Sequence, residues 1–409
     1  MMSPRCLLAS ALCLVSVAAT AAPGSLDPTF NGSGWIALNA DDGRGETVCL
    51  DNQGRIAIAA SRLDGSAYRA YLLRLSASGV LDTGFGGWRP IGASSAGFPQ
   101  SPAIVCASDR YAVASVEAPV NNVFPVRLDI VPHSGTGASS SLLNQGLNGW
   151  SMRVGLTQLI SNSWIIAAGL GSGPATGALQ RWDGANAPLS FQGTYSGNSG
   201  TQVSYREVLV GADGNLYAIG RRTANNTQGV AGVVSSFNSA GQLRTSFANN
   251  GHYLQESAGD DYGQRLAPSL QSGKFYAAFQ ELGPSLQQTI RVQRLNFNGT
   301  LDASFTGASG LFRPGELGDL IEDAQGRVLL AGRDEQGAAF VTRFTANGIV
   351  DFSFGVQGTA TFGFGSTGAS FRGITLDAQG RIILVGARTE TVRGNSIVPD
   401  ALIVARLLP

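Results

Sequence analysis

Residues 24–38 read GSLDPTFNGSGWIAL, and residues 400–409 read DALIVARLLP. The same two pieces occur fused at residues 74–91, RLSASGVLDTGFGGWRPI, where an apolar run passes through a Gly turn into Leu-Asp-x-x-Phe and a further short strand. The chain thus opens on the second half of a unit whose first half closes it. An open solenoid needs a capping repeat at each end, whereas a ring is closed when its termini share one unit.

Internal repetition supports the ring. The segment LDNQGRIAIAA at 50 returns as LVGADGNLYAIGR at 209, IEDAQGRVLLAGR at 321 and LDAQGRIILVGAR at 376, with weaker copies at 106, 159 and 270. Each of these seven copies is followed by an apolar run that ends, in most of them, in a Gly turn. The turn phenylalanines Phe30, Phe85, Phe191, Phe247, Phe305 and Phe354 mark a period of about 54 residues, one double step spanning a copy that lacks the ring. Within a unit the apolar residues alternate or run continuously between Gly, Asp and Asn, and no helical period appears.

Four strands fit each unit. In the last one they are SFRGITL (strand A), RIILVGA (B), ALIVARLL (C) and GWIAL (D), the last borrowed from residues 34–38. Strand B is apolar at consecutive positions, as in IAIAA and VLLAG, so both its faces need cover, which sheets stacked face to face provide. The expected fold is all-β: one seven-bladed β-propeller over residues 22–409, built of four-stranded antiparallel blades and closed by the N-terminal outer strand.

The pattern GRIxLxG…RLxxxGxLDxxFG resembles the delta-60 repeat family, tandem repeats of exported bacterial proteins taken to form propellers. The resemblance covers essentially the whole chain after the leader and implies no catalytic residues.

Residues 1–21 are expected to be a secretory signal peptide: Arg5 precedes the apolar run Cys6–Ala19, and Ala19 and Ala21 suit cleavage after Ala21. A periplasmic or extracellular protein follows, monomeric and without a membrane anchor, since no later run approaches the roughly 20 apolar residues of a spanning helix. Acids and bases balance at 28 each, which leaves no electrostatic footprint for nucleic acid. Export permits a disulfide; Cys49 and Cys106, near the ends of strand A in neighbouring blades, are either paired or two buried thiols.

Candidate functional residues follow from what does not repeat. Arg74, Arg127, Arg181, Arg294, Arg343 and Arg406 share one place in strand C, where only Ser236 departs, so they are read as blade structure, paired with backbone or with the turn carboxylates Asp27, Asp82, Asp302 and Asp351. The A–B and C–D turns are short and alike. The B–C loops and D–A crossings vary, and variable loops on a rigid scaffold are where function collects. That face carries Arg62, Tyr68, Arg222, Asp260, Asp261, Tyr262, Arg333, Asp334 and Arg388 as ligand-binding candidates, the two tyrosines being expected to stand exposed.

The carboxylate pairs Asp41–Asp42 and Asp260–Asp261 are close enough to split their pKa values, but neither has the spacing of a calcium loop. His133 and His252 are the two histidines. With no nucleophile, metal or phosphate motif, neither a cofactor nor a metal site is expected. The leading reading is a non-catalytic propeller that binds a neutral or mixed-charge protein, glycan or envelope component over its axis. The alternatives are a hydrolase or lyase using Asp260, Asp261 and an arginine, and a purely structural ring.

Overall fold

In a computed structural model, residues 22–40, 42–96, 101–118, 125–143, 154–160, 163–168, 178–183, 187–194, 202–223, 229–306, 310–393 and 396–409 are described. They form seven four-stranded antiparallel sheets, six of them in sequential strand order. Their first strands, A, are Arg44–Leu50, Ala103–Cys106, Gly155–Ile160, Gln202–Val210, Asp260–Pro268, Glu316–Glu322 and Gly368–Leu376, opening blades 1 to 7. Each A strand touches the A strand of the next blade, and that of blade 7 touches that of blade 1, so the A strands surround the axis of a closed ring.

The core repeats with the blades. Buried apolar side chains gather in seven clusters, one in each space between neighbouring sheets. Strand B lies in the middle of each sandwich: Ile56, Ala57, Ile58, Ala59 and Ala60 are all fully buried. Its consecutive apolar residues serve two clusters at once, Ile56, Ile58 and Ala60 facing blade 7 and Ala57 and Ala59 facing blade 2.

Closure takes the expected form. Strand Trp35–Asn39 lies at the outer edge of the last sheet and pairs antiparallel with Ser396–Leu407, Trp35 opposite Ala405 and Asn39 opposite Ala401. Ahead of it, Asp27 Oδ2 accepts from Arg406 Nε at 2.8 Å, and Thr29 Oγ1 accepts from Arg406 Nη2 at 2.7 Å. The Arg406 guanidinium lies 5.0 Å from the centre of the Phe30 ring. The first and last residues of the ring thereby rebuild a unit that other blades make from continuous chain.

That unit recurs. Arg74 binds Asp82 through Nε and Nη2 and lies 3.9 Å over Phe85. Arg294 binds Asp302 over Phe305, and Arg343 binds Asp351 over Phe354. Burial opposes ionisation of Asp27, but the Thr29 bonds and the Arg406 guanidinium hold its carboxyl below the usual range. Several of these arginines also donate to a carbonyl of the following blade: Arg74 to His133, Arg294 to Ala346 and Arg406 to Ala77.

The Ser236 copy reaches the same end by exchange. Its turn reads Leu-Arg in place of Leu-Asp, and Arg244 bonds Ser236 Oγ at 2.9 Å and the Phe297 carbonyl of the next blade at 3.4 Å. Blades 2 and 3 depart further. Arg127 pairs with Glu117 and Asp129, neither of them a C–D turn residue, and Arg181 bonds the Ser163 hydroxyl. Phe191, read as a turn residue, lies inside the outer strand Ala187–Thr194.

The A–B turns owe their likeness to one acceptor. Asp323 Oδ1 accepts from the Gln325 and Arg327 amides and its Oδ2 from Arg327 Nε, while Gly326 adopts φ 76°. Asp377 and Asp51 repeat the arrangement. A short acceptor four residues before Arg and a glycine in the left-handed region are what this turn requires.

The two cysteines, left open by the sequence, are joined: Cys49 and Cys106 form a disulfide with Cα atoms 5.8 Å apart, tying the A strands of blades 1 and 2. Several B–C connections are longer hairpins than read, and strands Ile382–Arg393 and Ser396–Leu407 extend one well beyond the sheet.

Replacing Asp27 with Ala should leave Arg406 buried without its carboxylate, at a cost of about 3–5 kcal/mol, and should let limited proteolysis release the N-terminal strand. Unchanged melting and protease resistance would refute that closure. Replacing Cys49 and Cys106 together with Ala should lower the unfolding free energy by about 4 kcal/mol, the value expected for a 57-residue loop; denaturant titration measures it.

Candidate functional site

Strand A carries a feature that the apolar alternation does not require. In five blades its pairing with strand B is interrupted by one extra residue at the same place: Glu46, Arg206, Gln264, Gly318 and Arg372. A bulge of this kind turns a side chain away from the regular pleat. Here it introduces polar groups around the axis.

The residue after the bulge often latches the next blade. Glu207 accepts from the Leu266 amide, Asp319 from the Ile374 amide, and Thr47 Oγ1 from the Ile104 amide. Arg265, almost fully buried, donates to the Gly318 carbonyl at 2.7 Å and reaches the Arg372 carbonyl of blade 7 at 2.8 Å. Its side chain therefore runs from blade 5 past blade 6 to blade 7. Arg372 in turn donates to both oxygens of buried Glu46, each at 3.3 Å, and Arg206 donates to Gln264 at 2.6 Å.

Next to these groups, two adjoining cavities open on the face of the B–C and D–A connections. The outer, about 210 Å³, is lined by Arg44, Glu316, Arg333, Ser370 and Arg372 among others. The inner, about 100 Å³, shares Glu316, Arg333, Ser370 and Arg372 with it and adds Arg265. Together they form an axial site between blades 6, 7 and 1.

A larger cavity of about 650 Å³ lies between blades 4 and 5, lined by Arg222, Gly229–Ala231 and Glu256–Asp261. Asp260 and Asp261 do not act there as a pair. Successive strand residues point to opposite faces: Asp260 accepts from the Val230 amide at 2.8 Å and from Tyr262, whereas Asp261 is fully buried and accepts from the Ser257 amide. The neighbour that matters to Asp261 is Glu281, opposite it on strand B. Burial chiefly, with the Glu281 charge, pushes the Asp261 carboxyl up to about 6, against the Ser257 bonds and the Arg291 charge.

The sequence candidates separate into three fates. Arg222, Asp260 and Asp261 border the cavity between blades 4 and 5, and Arg333 borders the axial one. Others serve the scaffold. Arg62 stacks over Tyr71 and Trp88, Tyr68 donates to buried Asp42, Asp334 accepts from the Gln336 and Ala338 amides of its turn, and Arg388 binds Asp400. Tyr68 and Tyr262 are half-buried and bonded to carboxylates, not exposed as read: Tyr68, on the B–C hairpin, reaches Asp42, and Tyr262, on inner strand A, donates to Asp260. Asp41 lies outside the described residues, and its neighbour Asp42 is held by Arg44.

The histidines stand apart from both cavity linings. His133 packs on Tyr111, and His252 bonds Ser235 while burial and the Arg222 charge push its imidazole down to about 4. Among the described residues no group of three or more His, Cys, Asp or Glu is placed to hold a metal ion.

The reading from sequence missed Arg44, Glu46, Arg265, Glu316, Asp319 and Arg372. Their signal was present: RGETV, YREVL, YGQRL, LGDLI and FRGIT all place polar residues at one register of an otherwise apolar strand.

Comparison with known proteins agrees with the architecture. The family model described as "Domain of unknown function (DUF5122) beta-propeller" matches residues 54–85, strands B and C of blade 1 with the turn to Phe85. No curated protein matches significantly. Among solved structures, the polysaccharide lyase Uly1 is similar at 10% identity with a TM-score of 0.50, over 89% of this chain and 90% of that one. A protein of unknown function from Dyadobacter fermentans is similar at 11% identity and TM-score 0.46, over 92% and 98%. The gluconolactonase XC5397 from Xanthomonas campestris follows at 13% and 0.40, over 96% and 99%. At such identities the likeness is one of fold.

The raised Asp261 carboxyl makes a stability prediction. Its folded pKa exceeds the unfolded value, so its contribution is complete below about pH 4 and lost as pH rises through about 6. Asp261→Asn should therefore raise stability by up to about 3 kcal/mol at pH 8 and leave it nearly unchanged at pH 4, read from melting curves at the two values.

Proposed function

We propose that this chain, a tandem-repeat propeller of the delta-60 kind exported from its cell, is a non-catalytic binding protein that takes its ligand over the axis on the face of the B–C and D–A connections. One observation carries this reading: the axial cavity is walled by guanidinium groups and hydroxyls held by a closed ring of inner strands. Rigid polar groups converging on one opening are what recognition needs. Catalysis would need in addition a convergent proton donor and acceptor, and among the described residues Glu316 is the one carboxylate of the axial lining.

A second reading, an enzyme working at the blade 4–5 cavity, is favoured by Asp261, whose carboxyl near 6 suits a general acid or base. Against it stand the full burial of Asp261 and the use of its neighbour Asp260 by the Val230 amide and Tyr262.

The position of the site is tested by filling it. Ser370→Trp places an indole in both axial cavities, whereas Gln379→Trp places one on an exposed turn of the opposite face. Ligands retained by the immobilised protein from glycan and envelope-protein arrays should be lost with the first variant and kept with the second, both melting like the parent protein. Retention by Ser370→Trp would remove the axial reading.

A further inference from the structure

We infer that the axial cavity is a carboxylate subsite, which recognises one singly charged acidic unit of a longer polyuronate-type glycan. The inference rests on the axial reading above and names the chemistry of its ligand.

Charge is distributed unevenly across the cavity wall. Arg44, Arg333 and Arg372 line the outer cavity, whereas the carboxylates that neutralise two of them do not: Asp42 binds Arg44 and Glu46 binds Arg372, both buried behind the lining. A ligand at the opening meets the guanidinium side of each pair. Arg333 is freer still. Its side chain is 44% exposed, and among the described residues its nearest carboxylate, Glu316, is 3.8 Å away. The Arg372 side chain, although paired with Glu46, is 35% exposed. The accessible guanidinium edges of Arg333 and Arg372, which line the same cavities, match the paired oxygens of an oxyanion.

The same lining selects among oxyanions. Among the described residues Glu316 is the one acid in the wall, so the excess positive charge left for a ligand is small once the Arg44 and Arg372 pairs are counted. A second negative charge on the bound group would be repelled by Glu316, which favours a carboxylate over dianionic phosphate. Size argues for a chain. The adjoining cavities, of about 210 and 100 Å³, together reach only the lower limit of the roughly 300–1,000 Å³ of sites that enclose a whole small ligand, which suits one unit of something larger. The Ser370 and Thr389 residues at the rim suit a hydroxyl-rich chain better than an apolar one.

The experiment compares tetragalacturonate with its fully methyl-esterified form by titration calorimetry, with inorganic phosphate and sulfate as further arms, on the full chain. Tetragalacturonate should bind, the ester at least tenfold more weakly, and phosphate least. Arg333→Gln should weaken tetragalacturonate about tenfold, the loss of one charge-assisted contact, with melting unchanged because Arg333 is exposed. Arg372→Gln should do the same, its melting checked because Glu46 loses a partner. Equal binding of acid and ester, no binding of the acid, or tighter binding of phosphate overturns the carboxylate subsite. If the ester or another neutral ligand binds and Ser370→Trp abolishes it, the axial reading survives that failure; if Ser370→Trp changes nothing that binds, both fall.

Discussion

The structure depends on one guanidinium contact made repeatedly at the edge of strand C. An arginine there neutralises the turn aspartate, covers the turn phenylalanine and, in several blades, donates to a carbonyl of the next blade. Its three kinds of contact fix three things together: the C–D turn, the packing under it, and the spacing to the neighbour. In blade 7 the aspartate and phenylalanine are Asp27 and Phe30, from the opposite end of the chain. The interaction that shapes a turn elsewhere closes the ring there. Because a buried arginine without its carboxylate is costly, the last blade has a strong reason to hold the N-terminal segment in register.

Closure has a consequence at the axis. Seven inner strands drawn into contact leave little room, and the bulges at Glu46, Arg206, Gln264 and Arg372 put polar side chains into it. Those groups satisfy one another: Glu46 with Arg372, Arg206 with Gln264, Arg265 with carbonyls of blades 6 and 7. Latches from Thr47, Glu207 and Asp319 to the next inner strand share the task. The ring is thus sewn twice, by strand C arginines on the turn face and by inner-strand polar groups along the axis. The function proposed uses what the second seam leaves unpaired.

Much of the fold was legible because repetition exposes structure. The period, the shared Arg, Asp and Phe positions and the split terminal unit led to seven blades and to the pairing of Trp35–Asn39 with the last sheet. Blades 2 and 3 were legible only by spacing, since Arg127 and Arg181 have lost the turn aspartate and Phe191 sits in a strand. The site was less legible, and for a physical reason. Variation in B–C connections was taken as a sign of exposure, yet Tyr68 and Arg62 vary because each blade solves its own hairpin packing, Tyr68 on Asp42 and Arg62 on Tyr71 and Trp88. The polar residues of strand A passed unnoticed since they repeat in place, and repetition was equated with scaffold. They repeat in position without repeating in charge: glutamate, arginine, glutamine, glycine and arginine at one register.

That difference separates the two kinds of repeat in this chain. At the edge of strand C the same residue recurs, and the contacts it makes recur with it. At the inner-strand bulge the backbone recurs while the side chain changes, so that Arg372 meets Glu46 and Arg206 meets Gln264 around the axis, and the formal charge of the whole chain is zero. A balanced total therefore says little about the opening. With Asp42 and Glu46 set behind Arg44 and Arg372, and Arg333 held only loosely by Glu316, the cavity presents the positive half of a neutral set. Over the few ångströms that separate a ligand from the wall, far inside the ~8 Å screening length of physiological salt, the nearer charges decide what is bound.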